Sequence, residues 1–289
     1  MSWHQWSVLL VGSMLWGQVP QDMKPNSPPV IPDNITVEAN IRYGTHAENV
    51  LDILQPKGAA PGKRPGVLLI HGGGWTGGAK EQRVEYAAMK YLEKGFVVAN
   101  VEYRLAKTAP APAAVEDVLQ AARWFRQNAR RYGVDPNRIV VTGDSAGGHL
   151  ALMVGLTPKS AKLGPPAKVA AVINFYGITD VEDQLSGPHQ RPYAVQWVPE
   201  QEGRSALARR VSPITYARKG VPPVLTIHGD QDQTVPYEHA TNLTRALERA
   251  GADASLHTLT GHGHSVPKAV LDAEYEEIFV FLKRKGILQ

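Results

Sequence analysis

Short unbroken apolar runs alternate along this chain with longer stretches in which apolar residues recur every three or four positions. Gly66-Val67-Leu68-Leu69-Ile70 and Phe96-Val97-Val98-Ala99-Asn100-Val101 are runs of the first kind, the pattern of strands buried on both faces. Similar runs predict strands at Arg138–Thr142, Val169–Phe175, Val224–Ile227 and Ala254–Leu259, and two earlier strands are expected at about Thr36–Tyr43 and Val50–Leu54. Helices are predicted at about Ala113–Tyr132, closed by Gly133, then directly after Ser145, at about Tyr237–Ala250 and at about Lys268–Lys285. Strands alternating with helices predict an α/β protein, with a mostly parallel eight-stranded sheet covered by helices on both faces. The stretch 181–219 breaks the alternation and is rich in Pro, Gln, Arg and aromatic residues. It is expected to be an insertion over the carboxyl edge of the sheet, where ligands bind in such folds.

Ahead of the first strand, Val8–Trp16 is an apolar run too short to span a bilayer, and proline-rich sequence follows it. Its length suits the core of a signal peptide, although Met1–Ser7 carries no lysine or arginine. Residues 1–18 are therefore read as a signal peptide, 19–34 as a proline-rich lead-in and 35–289 as one domain. A secreted or periplasmic protein without an integral membrane segment is expected.

Composition narrows the chemistry. The 289 residues are 43% apolar and 20% charged, ordinary values for one large globular domain. The absence of cysteine excludes thiol catalysis, cysteine-ligated zinc and disulfides. The net charge is +4, and the basic clusters Arg130-Arg131, Arg209-Arg210 and Lys283-Arg284-Lys285 lack interleaved aromatics. They read as solvated helix faces, so no nucleic-acid partner is expected. Nothing in the sequence speaks to oligomeric state.

Gly143-Asp144-Ser145-Ala146-Gly147 joins an apolar strand to the helical stretch Gly148–Met153, with serine at the apex of the turn. Flanking glycines permit so sharp a turn, because no Cβ collides with the neighbouring strand or helix. His71-Gly72-Gly73-Gly74-Trp75 follows the Gly66–Ile70 strand, and its side-chain-free positions let backbone amides converge on one point. It lacks the spacing of a dinucleotide-binding loop and the lysine of a P-loop. Asp230 and Asp232 follow the Val224 strand, where a carboxylate can orient a histidine, and His262 and His264 follow the Ala254 strand. Metal ligation by these groups is the competing reading, but no H-E-x-x-H spacing appears, so no metal is expected. The order Ser, Asp, His, each just past a strand, is the α/β-hydrolase order.

From about residue 36 onward the chain resembles an α/β-hydrolase of the esterase/lipase superfamily, and within it the bacterial BD-FAE-like group, which includes feruloyl and acetyl esterases of plant polysaccharides. The matching stretches are His71–Trp75, Tyr103-Arg104-Leu105, Gly143–Gly148, Ser212-Pro213-Ile214, His228-Gly229 through Val235-Pro236, and Gly261–His264. The resemblance implies Ser145 as nucleophile, Asp232 rather than Asp230 as acid, and His264 rather than His262 as base. It implies Gly73, Gly74 and Ala146 as oxyanion donors, and no cofactor. The substrate implied is a small-molecule or polysaccharide-borne ester with a short or aromatic acyl group. Trp75, Tyr176 and Trp197 are candidate substrate contacts, with Tyr193 beside them; ordinary packing is the alternative for each. The Gly-Asp-Ser-Ala-Gly-Gly run also resembles hormone-sensitive-lipase-like esterases, but their helical cap before the first strands has no counterpart here. An arylformamidase, amidase or peptidase on this fold, and a non-catalytic binding protein, are the other readings.

Overall fold

A computed structural model of the protein describes residues 29–58 and 63–289. The apolar run Val8–Trp16 and most of the proline-rich lead-in lie outside the described residues. The strands are β1 (Ile35–Arg42), β2 (Val50–Pro56), β3 (Arg64–Ile70), β4 (Val97–Val101), β5 (Val134–Asp144), β6 (Ala171–Phe175), β7 (Val224–Gly229) and β8 (Ala254–Leu259). Among the described residues they form one sheet in the order β1-β2-β4-β3-β5-β6-β7-β8. β1 and β2 pair antiparallel and β2 meets β4 antiparallel, while every pairing from β4 through β8 is parallel. This is the α/β-hydrolase architecture.

The helices are α1 (Met89–Glu93), α2 (Ala113–Asn128), α3 (Ala146–Leu156), α4 (Pro192–Trp197), α5 (Arg204–Arg210), α6 (Glu238–Arg249) and α7 (Lys268–Arg284). One face of the sheet is covered by α2, α3 and α6, through Leu119, Phe125, Leu150 and Leu243. The other is covered by α1 and α7, through Tyr91, Phe279 and Leu282. With both faces covered, every residue of β4 and β6 is buried, which is why those strands read as unbroken apolar runs. A 3-10 turn carries α2 on to Tyr132, where Gly133 at φ 66° ends it. No helix among the described residues is long and apolar enough to cross a membrane.

Two regions differ from the sequence pattern. Lys80–Arg83 forms a 3-10 turn and Val84–Ala88 a π turn leading into α1, where periodicity predicts no helix. Residues 181–219 hold α4 and α5, and their apolar side chains Val181, Leu185, Ala194, Trp197, Val198, Ala208 and Val211 join the main core. Their outer surface is polar, with Gln190, Gln196, Glu200, Gln201, Glu202, Arg209 and Arg210 exposed.

This strap is braced to the sheet through an imidazole. His149 of α3 accepts a hydrogen bond at Nδ1 from Trp75 Nε1 (3.1 Å), and its Nε2 lies 2.7 Å from the Val211 carbonyl of the strap. That carbonyl requires a proton on Nε2 and the indole requires none on Nδ1, so the ring is neutral in this geometry. Trp75 and Trp197 stack at 4.2 Å, and His149 meets both edge-on.

Burial pushes the His149 imidazole down to about 4, the Val211 carbonyl only partly opposing it. The unfolded chain, with an ordinary imidazole at about 6.5, therefore binds more protons across this interval. Stability is unaffected by this group above about pH 6.5 and falls as pH drops toward 4, by on the order of 3 kcal/mol at about 1.4 kcal/mol per pKa unit. In denaturant melts at pH 7 and pH 4, a His149→Gln variant should lose less stability on acidification than the parent. Equal losses would contradict the brace.

Candidate active site

Ser145 lies at the junction of β5 and α3 with φ 54° and ψ −119°, outside the regions that ordinary residues occupy. Its N–H donates to the Phe175 carbonyl at 2.9 Å, tying the turn to the end of β6. A Cβ on Gly147 would stand 2.2 Å from the Ile70 carbonyl oxygen, and one on Gly143 would stand 2.5 Å from the same atom. The close approach of the turn to β3 thus explains the glycines on either side of the serine.

The base and acid arrive from the loops after β8 and β7. Ser145 Oγ is 3.0 Å from His264 Nε2, and His264 Nδ1 is 2.7 Å from Asp232 Oδ2. Asp232 Oδ1 accepts the amides of Thr234 (2.8 Å) and Val235 (2.9 Å). The buried His228 Nε2 lies 3.3 Å from Oδ2 and 2.9 Å from the Val235 carbonyl. Burial alone would push the Asp232 carboxyl up, but hydrogen bonds from His228, His264 and Val235 hold it well below the usual carboxylate range.

Asp230 has another task, since its Oδ1 accepts the Gly261 amide at 2.7 Å. The His262 carbonyl accepts the Gln231 amide at 2.9 Å. Both residues therefore lace the acid loop to the base loop, and neither joins the Ser145–His264–Asp232 line. Tyr176, at φ 39°, sets its ring edge-on to His264 with centroids 4.7 Å apart.

Gly73 at φ 120° and Gly74 at φ 59° curl the loop after β3, and the Gly73 carbonyl accepts the amides of Thr76 and Gly77. The N–H groups of Gly73, Gly74 and Ala146 enter no backbone hydrogen bond among the described residues. His71 anchors the loop from below. It stacks on Tyr103 at 4.3 Å, contacts Glu102 Oε1 through Nε2 at 2.9 Å, and its carbonyl accepts the Tyr103 hydroxyl.

The structure corrects two expected substrate contacts. Trp75 and Trp197 are both 0% exposed and stacked inside the core, so their surfaces are spent on packing. Tyr176 and Tyr193 remain partly exposed, and Tyr193 lies where a Cβ on Gly74 would be, 2.8 Å away. No group of three His, Cys, Asp or Glu side chains among the described residues is placed to hold a metal ion. The sequence pattern misses Arg83, whose Nε and Nη2 donate to the two oxygens of Asp144 at 2.6 and 2.8 Å. The available signal was Asp144 itself, a carboxylate between a buried strand and a buried helix that needs a cation.

A hydroxyl on a base, a base on a carboxylate, and amides free to receive an oxyanion are the parts of acyl transfer. The BD-FAE family profile matches residues 51–247. The chain is 32% identical over 225 residues to Esterase LipQ of Mycobacterium tuberculosis, covering 74% of this chain and 53% of that protein. The chain spans about half the length of the curated relatives it matches. A truncated carbohydrate esterase from gut microbiota superposes with a TM-score of 0.76 at 26% identity, over 86% of this chain and 96% of that one. Esterase Est2 of Thermogutta terrifontis with butyrate bound superposes with a TM-score of 0.74 at 26% identity, over 89% and 96%. The profile match covers most of the described domain, and the chain belongs to the BD-FAE family of α/β-hydrolases.

Proposed function

We propose that the protein is a serine carboxylic-ester hydrolase working through an acyl-enzyme. The observation that carries this reading is the continuous line from Ser145 Oγ through His264 to Asp232, with contacts of 3.0 and 2.7 Å. In this reading His264 Nε2 takes the Ser145 proton as Oγ attacks the ester carbonyl. Asp232 fixes the Nδ1–H tautomer and stabilises the imidazolium that forms. The amides of Gly73 or Gly74 and of Ala146 receive the oxyanion. His264 then gives its proton to the leaving alcohol, and water activated by the same imidazole releases the acid.

The substrate we propose is a soluble or polysaccharide-borne ester with a short or aromatic acyl group. The polar outer surface of residues 181–219 supports it, since opening onto a lipid surface requires a sizeable apolar face. The similarity to a carbohydrate esterase and to an esterase with bound butyrate supports it.

Replacing Ser145 by Ala should lower turnover on the order of 10⁶-fold with the melting temperature little changed, and Asp232→Asn should lower turnover on the order of 10⁴-fold. A purified Ser145→Ala protein that keeps a tenth of the parent's rate would remove Ser145 from the role. A second check uses p-nitrophenyl esters and emulsified triglycerides. Rates should fall beyond about four to six acyl carbons, without a jump at the solubility limit. Interfacial activation, or preference for long-chain triglycerides, would make the protein a lipase.

A further inference from the structure

The Arg83–Asp144 ion pair lies outside the triad, at the point where the two halves of the site touch. Asp144 immediately precedes Ser145, and the side chains of Arg83 and Asp144 are only 9% and 17% exposed. A Cβ on Gly72 would stand 2.5 Å from Asp144 Oδ2, 2.7 Å from its carbonyl oxygen and 3.2 Å from Arg83 Nη2. The pair is therefore packed directly against the backbone of Gly72, one residue before the amide of Gly73. Arg83 reaches this place from the irregular 3-10 and π turns ahead of α1, and its guanidinium carbon lies 5.4 Å from the Tyr86 ring centre.

An oxyanion hole built from two chain segments works only if both sets of amides point at one position, about 2.7–3.1 Å away. Here one set is on the Gly73–Gly74 loop and the other is Ala146 at the start of α3. The loop contains consecutive glycines and has little stiffness of its own. His71 and Tyr103 fix its beginning, the His71 carbonyl packs against Gly147 of the turn, where a Cβ would stand 2.6 Å from it, and Trp75 ties the far end of the loop to His149 of α3. The Arg83 fork adds a polar bridge at Gly72, the residue just before the Gly73 amide. It holds Asp144 at two oxygens in one plane, and Gly72 rests on the resulting pair.

We propose that the Arg83–Asp144 pair is a positioning device for the oxyanion hole, setting the gap between the Ser145–Ala146 turn and the Gly73–Gly74 amides. The proposal rests on the esterase reading above. Its consequence is that loss of the fork weakens transition-state binding and leaves ground-state binding intact. A lysine keeps the charge but cannot make the planar two-point contact, so Arg83→Lys is the discriminating change.

The experiment compares parent, Arg83→Lys and Asp144→Asn proteins on p-nitrophenyl acetate, with phenylboronic acid as a probe that forms a tetrahedral adduct on serine. Asp144→Asn preserves the side-chain shape and one acceptor, and supplies the comparison should Arg83→Lys not fold. Each folded variant should lose about 10- to 100-fold in kcat with KM within about twofold, less than the loss on deleting an oxyanion donor outright. Boronate affinity should fall by the same factor as kcat. A variant with a lower melting temperature but parental kcat and boronate affinity would make the pair a stabilising contact only and overturn the proposal. Parent protein without Ser145-dependent hydrolysis would instead remove the esterase reading.

Discussion

Ser145 is held at a positive φ with a full side chain, a conformation that costs on the order of 1–3 kcal/mol and persists only when its surroundings over-determine it. The surroundings here are backbone. Ile70 pairs with Gly143 in the parallel β3–β5 register, so the loop after β3 begins beside the turn after β5. The Ser145 amide is bonded to Phe175 on the other side, at the end of β6. Because β3, β5 and β6 are adjacent, one tight turn brings the hydroxyl, the amide of Ala146 and the glycine loop into the same crevice. Any wider turn would separate them.

The base has further to travel. His264 follows β8, three strands from β5, a distance of about 14 Å at roughly 4.8 Å per strand. The loops after β7 and β8 cross this gap as one unit, because Asp230 holds Gly261 and the Gln231 amide holds the His262 carbonyl. Tyr176, just past the end of the intervening strand β6, meets His264 edge-on. Residues 181–219 are bonded to the same unit. Gln184 Nε2 and Arg191 Nε both donate to the Thr234 carbonyl at 3.1 Å, and Thr234 in turn donates to Asp232.

Most of this framework was legible in the sequence for one physical reason. Strands buried on both faces must be apolar throughout, so β4 and β6 stand out, and the bounds of β8 agree at Ala254–Leu259. Position after the strands leaves Asp230 or Asp232 and His262 or His264 as partners for Ser145, and the family resemblance names Asp232 and His264, the pair that meets it. What was hidden is burial achieved by pairing. Lys80 and Arg83 are nearly inaccessible because Asp52 and Asp144 neutralise them, so the segment ahead of α1 reads as polar and its turns escape a 3.6-residue period. In residues 181–219 the scattered apolar residues are the inward side of a docked strap. Trp75 and Trp197 look like contacts for a ligand in sequence, yet each is the other's packing partner.

The central claim is that the strained turn presents a serine activated by His264. Its most direct measurement is intact-mass and peptide mapping after brief exposure to a fluorophosphonate. One adduct per chain is expected, located on Ser145, with near-complete loss of labelling in a folded His264→Ala protein. Labelling at another residue, or labelling of Ser145 at the parental rate without His264, would contradict it.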